Sequence, residues 1–465
     1  MNLRDSIDQL RAAGCLVEVD GPADPNLDMA RIITHHDGQP VLFGNVTGYP
    51  GWQVVAGMAS AREYFALALG VPAAEMIHTL AAALENPVAP PVVSNAPCQE
   101  VIEPDVDLTR LPILRHFPFD GGPYVTAGIA IINDPDYGRN VSFHRLMVTG
   151  PRTVAARIVE GRGTDTAWRK AQDGLPVAIC IGNSLAVLLA ASMSPPKGVD
   201  ELGIANAMSP TPLVQCKTVD LQVPAETEIV LEGHITHTLT DEGPFLDLTE
   251  TMDYVRQQPI IEIDCITHRQ DAIYQALLPG KLEHKLLMGM PKEPTIYAAV
   301  SEVCECRDVA ITPGGTSWLH AVVSIVKRGP DDGRRAIEAA FKGHGSLKHV
   351  VVVDDDIAIH DPAEVEWAIA TRFQADRDLV VLADQPGSSL DPSAAHVPGQ
   401  KTRTAKMGLD ATIPWGAKWE DYEKVRYEDV DVREYRSARP TSQSEIQPAQ
   451  NDDPWSKPGS GRALA

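Results

Sequence analysis

No stretch of this sequence approaches the roughly 18 consecutive apolar residues of a membrane-spanning helix, so no helical span is expected. The opening, MNLRDSIDQLRAAG, lacks the apolar centre of a signal peptide, and a cytoplasmic location is expected. Basic residues are scarce: 40 stand against 63 acidic ones, a net charge of −23. Phosphate backbones and anionic membranes need a positive surface, so neither nucleic acid nor a membrane is expected as partner. A small anion in a local basic pocket stays compatible with that charge. The seven cysteines (Cys15, Cys98, Cys180, Cys216, Cys265, Cys304 and Cys306) form no CxxC pair. Reduced, mostly buried thiols are expected. The run Cys304-Glu305-Cys306 offers two thiolates, fewer than a closed metal site requires. Nucleotide signatures are missing too: GRGTDT at 161–166 lacks the third glycine of a dinucleotide fingerprint, and no GxxxxGK[ST] occurs. Aromatic content is only 5%, which leaves the lining of any pocket undetermined.

The 465 residues that are present exceed one ordinary core, so two or three domains are expected. Residues 1–100 alternate short strands (GCLVEVD, PVLFGNV) with helices (SAREYFALALG, AAEMIHTLAAALEN), an N-terminal α/β domain. The proline-rich NPVAPPVVSNAPCQE reads as a linker. Residues 101–298 turn mainly β, through VTAGIAII, PVAICIG, KTVDLQVP, TEIVLEGHITH and IIEIDCITHR. Alternation in IIEIDCI marks strands with one buried face, as in a barrel or sandwich. Over 299–435 the helix–strand rhythm returns as a C-terminal α/β domain. KHVVVVDDDIAIH carries four successive valines, as a strand buried on both faces would. DPAEVEWAIATRF follows as a helix, with Asp361 as N-cap, Pro362 in the first turn and Glu364 at capping-box spacing. Residues 436–465 are polar and rich in Pro, Ser and Gln, composition expected of a mobile tail. There are no internal repeats.

Three segments of the β-rich middle carry unusual polar groups. RNVSFHRLMVTG places Asn140, His144 and Arg145 in a strand-like run, ASMSPPKGVDELGIA brings Glu201 into an apolar stretch, and DEGPFLD holds Glu242 and Asp247 five apart. Each has a structural reading: Asn140 capping a turn, Arg145 neutralising a core carboxylate, Glu201 starting a helix. Together they supply oxygen ligands for a hard cation, an anion-binding arginine and carboxyls for proton transfer.

The ordered segments NVSFHR, GVDEL, VPAETEIVLEG, EGPFLD, KHVVVVDDDI, SSLDPSA and KMGLDAT resemble the signature of the UbiD family over residues 1 to 413. The resemblance implies an α/β (α+β) fold with a central split β-barrel between the two α/β domains. It implies a reversible, non-oxidative decarboxylase of α,β-unsaturated acids acting by cycloaddition to prenylated FMN. By position, Asn140 and Glu201 resemble the holders of a divalent metal, usually manganese. Phe143, His144 and Arg145 resemble the strand along the flavin; Arg157, Ile158, Val159, Arg162, Gly163 and Lys406 fall at further cofactor contacts. Ala191, Ser192 and Met193 sit near a potassium site of the family. Some members carry a histidine close to Gly163, and the glycine leaves the third metal ligand open. Asp247 is the implied proton donor, with Glu242 and Arg145 completing its network; Asp241 and Glu250 are expected as solvated neighbours.

The segments ALLPGKLEHKLLMGMPKEPTIY and GTSWLHAVVSI resemble the archaeal branch, which includes decarboxylases of trans-anhydromevalonate 5-phosphate. Lys281, His284, Lys285 and Lys292 would suit such a phosphorylated small enoic acid. The other reading of these side chains is solvent or a second subunit. Aromatic or heteroaromatic acids are the alternative substrates, and a non-catalytic companion subunit of a carboxylase complex is the alternative of another class. The resemblance further implies a flavin prenyltransferase as cofactor supplier and a homodimer or homohexamer.

Overall fold

The computed structural model describes residues 1–427 apart from 396, 398 and 399. Residues Met1–Trp419 form one compact unit and Glu420 begins another, of which only 420–427 are described. The expected tail at 436–465 lies outside the described residues.

Alternation of apolar residues builds the central layer. Its hydrogen-bonded strand order is Tyr124–Val125, Leu146–Gly150, Thr153–Ala156, Arg256–His268, Ile229–Glu242, Leu175–Ile181, Ile129–Asp134 and Gly138–Phe143, all antiparallel. The path is open at both ends. The UbiD-like arrangement expected from the sequence, a β layer flanked by α/β regions, is what the chain forms. Ile229–Glu242 and Arg256–His268 are the long strands of this sheet. Glu242 is therefore the last residue of a strand whose first half is buried, not part of a surface loop.

The N-terminal sheet runs Val17–Val19, Val41–Phe43, Gln53–Ala56 and Ile273–Gln275, so one strand from the middle of the sequence joins it. The proline-rich segment expected as a linker contributes Val92–Val93, which pairs in parallel with Leu213 and Val214. The helix Glu293–Ser301 spans the expected boundary at 299, and its Ile296 and Val300 sit in the C-terminal core.

The four valines show why the C-terminal region is a two-faced α/β layer. Strand His349–Asp354 lies between His320–Val326 and Arg403–Asp410. Val350 and Val352 pack with Ala336, Ile337 and Ala340 of the helix Asp332–Gly343, whereas Val351 and Val353 pack with Val365 and Ala368 of Pro362–Arg372. Successive strand side chains point to opposite faces, so covering both faces buries all four. Asp361 caps the second helix through the Ala363 N–H at 2.9 Å.

Candidate active site

His144 and Arg145 fall between the strands Gly138–Phe143 and Leu146–Gly150 rather than inside one. At this corner the Arg145 side chain turns to the end of strand Ile229–Glu242. Its Nε donates to Glu242 Oε1 at 2.9 Å and its Nη2 to Glu242 Oε2 at 3.0 Å; Nη1 reaches Asp247 Oδ2 at 3.2 Å. The three expected catalytic residues are thus in direct contact.

A third acid, unforeseen in the sequence reading, completes the centre. Arg145 Nη2 also donates to Asp253 Oδ2 at 2.7 Å, and Arg256 bonds the other oxygen of that carboxylate. The signal was a small hairpin: Phe245–Leu246 pairs with Met252–Asp253, setting Asp253 opposite Phe245. The Phe245 ring lies 4.8 Å from the guanidinium and covers it. Burial alone would lower the Arg145 pKa, but Glu242, Asp247 and Asp253 raise it above its ordinary value. Burial likewise pushes the Asp253 carboxyl up, yet Arg256 and Arg145 outweigh it and hold it below the usual range.

The acids differ in access. The Glu242 side chain is fully buried, grips Arg145 with both oxygens and takes a further bond from the Tyr124 hydroxyl at 3.2 Å. The Asp247 side chain is 23% exposed; its Oδ1 takes the Leu248 N–H at 2.6 Å, and Oδ2 holds one arginine N–H. Of the five N–H donors of a guanidinium, Arg145 uses four on these carboxylates. The fifth, on Nη1, has no partner among the described residues and lies beside Asp247.

A chain of contacts leads from Arg145 to the expected metal pair. The Arg157 N–H bonds the Arg145 carbonyl at 3.1 Å, and the Arg157 carbonyl accepts from His144 Nδ1 at 3.0 Å. A carbonyl only accepts, so the proton sits on Nδ1 and Nε2 faces the Ser142 and Thr164 hydroxyls at 3.1 and 3.0 Å. Burial lowers the His144 pKa to about 4, which keeps the ring neutral. Thr164 in turn lies 3.4 Å from Asn140 Oδ1, and Asn140 Nδ2 donates to Glu201 Oε1 at 3.3 Å. Glu201 is the first residue of the helix Glu201–Met208, capped by Asp200, and its Oε2 takes the Val141 N–H at 3.0 Å. It is 4% exposed, and burial raises its pKa to about 7.

Gly163 stands against this pair. A Cβ there would lie 3.0 Å from Asn140 Oδ1, so Asn140 occupies the room a side chain would need. Among the described residues no cluster of three His, Cys, Asp or Glu side chains forms. Asn140 and Glu201 are two oxygen donors facing one another, enough for a hard cation only if a ligand completes its shell. Phe143 ends its strand and packs on the core, Ile158 is buried with its N–H on Gln258 Oε1 at 2.7 Å, Val159 is exposed, and Arg162 precedes the helix Gly163–Lys170. Lys406 lies in the C-terminal sheet and donates to the Gly345 carbonyl at 2.8 Å.

Glu250 is exposed, as a solvated neighbour would be, and Lys285 forms an ion pair with it that holds its carboxyl below the usual range. His284 accepts the Gly280 N–H at 3.1 Å and belongs to the acid centre. Burial lowers its pKa, Asp247 opposes that, and Arg145 and Lys285 add to it. Asp241 is exposed and bonds Gln257, as a strand-end surface residue would.

Comparison with known proteins covers nearly the whole chain. Profiles of the UbiD 3-octaprenyl-4-hydroxybenzoate carboxy-lyases match its N-terminal domain at residues 7–84, its Rift-related domain at 91–282 and its C-terminal domain at 285–411. The anhydromevalonate phosphate decarboxylase of Methanosarcina mazei is 44% identical over 418 residues, 89% of this chain and 96% of the relative. That of Methanothermobacter thermautotrophicus is 42% identical over 433 residues, 91% of this chain and 99% of the relative. Among solved structures, the FMN complex of the UbiD-class enzyme HmfF from Pelotomaculum thermopropionicum superposes with a TM-score of 0.89 at 40% identity, covering 94% of this chain and all of that one. Klebsiella pneumoniae 3,4-dihydroxybenzoic acid decarboxylase (AroY) gives 0.86 at 30% identity, over 93% and 98%.

Proposed function

The chain belongs to the UbiD family and is a UbiD-type carboxy-lyase, and from that premise we propose that it decarboxylates a short phosphorylated enoic acid of the anhydromevalonate phosphate kind with prenylated FMN. The relatives named for that substrate support the acid, and the prenylated-FMN complex of an evolved dimeric HmfF, 39% identical, supports the cofactor. The observation that carries the reading is the Arg145 centre, where one free N–H lies beside the most exposed of its three acids.

The bound cofactor would supply the electron sink that makes loss of carbon dioxide feasible. This chain's residues do the rest. The free N–H of Arg145 takes one oxygen of the substrate carboxylate, and Glu242 and Asp253 lock the guanidinium in place. When the bond to the carboxylate breaks, the electron pair stays on the carbon it leaves, and the Asp247 carboxyl delivers a proton there. Asp247 then recovers its proton from water through its exposed edge. Glu242 has no such edge and serves to hold charge. His144, neutral and tied at both nitrogens, fixes the corner that Phe143 and Arg157 share.

Phe143, His144, Arg145, Arg157, Ile158, Val159, Arg162, Gly163 and Lys406 are assigned to the flavin in this reading, and Asn140 with Glu201 to a manganese ion. Among the described residues no cation pairs with the buried Glu201 carboxylate, and Asn140 and Glu201 would hold a divalent ion that would supply one. Glu201→Gln is expected to weaken manganese binding to the flavin-loaded protein on the order of 10–100-fold, read by metal titration; unchanged affinity would remove Glu201 from the site. A potassium ion at Ala191, Ser192 and Met193 would share the Ser192 carbonyl with the Lys292 ammonium, 3.4 Å away. Two cations on one carbonyl repel, and this reading gives the place to Lys292. Homo-oligomeric assembly and supply of the cofactor by a flavin prenyltransferase belong to the same reading; the dimeric HmfF form supports the first. Among the described residues no single helix is long and apolar enough to cross a membrane.

The test is carbon dioxide release by the cofactor-loaded protein on trans-anhydromevalonate 5-phosphate beside a pool of aromatic and heteroaromatic acids. Turnover of the phosphorylated acid alone is expected. Turnover of the pool alone would refute the substrate assignment, and a protein inert on both unless joined to other subunits would favour the companion-subunit alternative.

A further inference from the structure

One buried carboxylate next to the acid centre has no part in the chemistry so far. Glu283 is 3% exposed, and no cation among the described residues pairs with it. Backbone N–H groups hold it instead: Gly57 donates to Oε2 at 2.7 Å and Ala59 to Oε1 at 3.1 Å. The turn that offers them follows the strand Gln53–Ala56. Gly57 has a φ of 77°, and a Cβ there would meet the Gln39 carbonyl oxygen at 2.5 Å, so the turn needs glycine. Ser60 closes it, with its N–H and its hydroxyl on the Gly57 carbonyl at 3.2 and 2.7 Å. Neighbouring N–H groups turned the same way form a nest for an anion, and the Glu283 carboxylate fills it. Burial raises the Glu283 pKa to about 7; the N–H bonds oppose this, and the charge of Asp37, on the preceding turn, adds to it. A carboxylate buried without a cation detracts from stability. Packing alone would be served by a neutral side chain of the same shape.

What Glu283 anchors is the start of the helix Leu282–Gly289, where it is the second residue and where the Leu282 N–H bonds Asp37 Oδ1 at 3.0 Å. Other sides of the same turn bear on the loop that carries Asp247. His284 Nδ1 accepts the Gly280 N–H at 3.1 Å, and Lys285 pairs with Glu250. Gly280 is pressed against that loop: a Cβ on it would lie 2.8 Å from Leu246 Cδ2, 3.0 Å from Glu250 Cγ and 3.4 Å from the Asp247 carbonyl oxygen. The loop itself is a single turn, with the Glu250 N–H on the Asp247 carbonyl at 2.9 Å and the Asp247 N–H on the Thr251 carbonyl at 3.0 Å. The 280–285 segment backs this turn on one side and is fastened to the nest on another.

We propose that Glu283 is a positioning residue for the proton donor. Its carboxylate, seated on the 57–59 turn, sets the start of the helix, and the helix sets the place of Asp247 beside Arg145 through Gly280, His284 and Lys285. This role rests on the proton-donor reading of Asp247 above. The ionised form of Glu283 is the one that serves it. A carboxylate accepts from both N–H groups, whereas a protonated carboxyl turns an O–H toward one of them and loses that bond. Above pH 7 the seat is therefore closed, and it loosens as pH falls through that value. Asp37 faces the carboxylate from the turn before the helix, and His284 and Lys285 stand on the helix itself.

The experiment compares cofactor-loaded wild type and Glu283→Gln across pH. The amide keeps one acceptor and turns an N–H toward the other donor, so the variant resembles the protonated wild type at every pH. The wild-type kcat is expected to exceed that of Glu283→Gln about 10-fold at pH 8.5 and less than about 2-fold at pH 5.5, because Glu283 is ionised only at the higher pH. Taking the ratio removes the titration of Asp247 and His284, which both proteins share. A ratio that stays constant with pH overturns the proposal, since a packing role does not titrate. Hydrogen exchange read by mass spectrometry reports the loop without reference to activity. At pH 8.5 the amides of 246–251 should exchange about 10-fold faster in Glu283→Gln than in the wild type, and those of the strand His349–Asp354 at the same rate. Equal exchange at 246–251 overturns the proposal. If the wild type decarboxylates nothing, the decarboxylase reading fails on its own and exchange alone judges the seat. If Glu283→Gln does not fold, the wild type decides: protection of 246–251, corrected for the intrinsic rate, should rise as pH passes 7, and constant protection overturns the role.

Discussion

Asp247→Asn is expected to lower kcat for decarboxylation by about 10³-fold, the scale of losing a positioned general acid, with flavin binding unchanged. The amide has one oxygen, so it keeps either the Arg145 Nη1–H or the Leu248 N–H, which bond opposite oxygens of Asp247. It has no transferable carboxyl proton, while Glu242 and Asp253 still hold Arg145, so KM should move far less than kcat. Glu242→Gln gives the contrast. Glu242 holds Arg145 with two bonds and is fully buried, so its amide would misplace the guanidinium and raise KM as well. Equal losses of kcat and unchanged KM in both variants would mean that the two acids share the proton and that exposure does not single out Asp247.

The largest expected stability effect lies away from the site. Arg372 is fully buried in the C-terminal layer, bonded to Asp354 Oδ2 at 3.1 Å and to Asp356 at 2.9 and 2.6 Å, with Trp367 and Trp419 rings 5.3 and 5.9 Å from its guanidinium. Arg372→Met keeps much of the packing volume but leaves two carboxylates without their cation, a loss of about 3–5 kcal/mol. Chemical denaturation read from tryptophan fluorescence would measure it. The loss should depend on pH. Burial raises the Asp354 pKa to about 6 in the folded chain, above an unfolded value near 4. The folded state therefore holds the extra proton, and stability from this group falls as pH rises through that window. Without Arg372 the folded value moves higher, so the deficit at pH 8 should exceed that at pH 5. A deficit below 1 kcal/mol at both would show that the aromatic packing, not the ion pairs, holds this corner.

Particular residues show which parts of this architecture were legible in advance. The four valines of 350–353 announced a strand covered on both faces because burial on two sides leaves no polar alternate. Asp361 and Pro362 marked a helix start because capping is local chemistry. Arg145, Glu242 and Asp247 were found through the order of motifs, and the fold brings them within hydrogen-bonding distance. Asp253 escaped because its place depends on a two-residue strand pairing across a short turn, which no periodicity records. The basic segment was legible as composition but not as geometry: helical spacing cannot say that Lys285 meets Glu250 while Lys292 is buried without an acid.

The most direct measurement of the central claim follows the proton itself. The cofactor-loaded enzyme is incubated with the decarboxylated alkene in deuterated water, and exchange at the carbon that had carried the carboxylate is followed by proton NMR. The account predicts exchange by the wild type and its near-complete loss in Asp247→Asn at unchanged flavin content. Exchange by Asp247→Asn at the wild-type rate would contradict it, and the proton would have to come from another group.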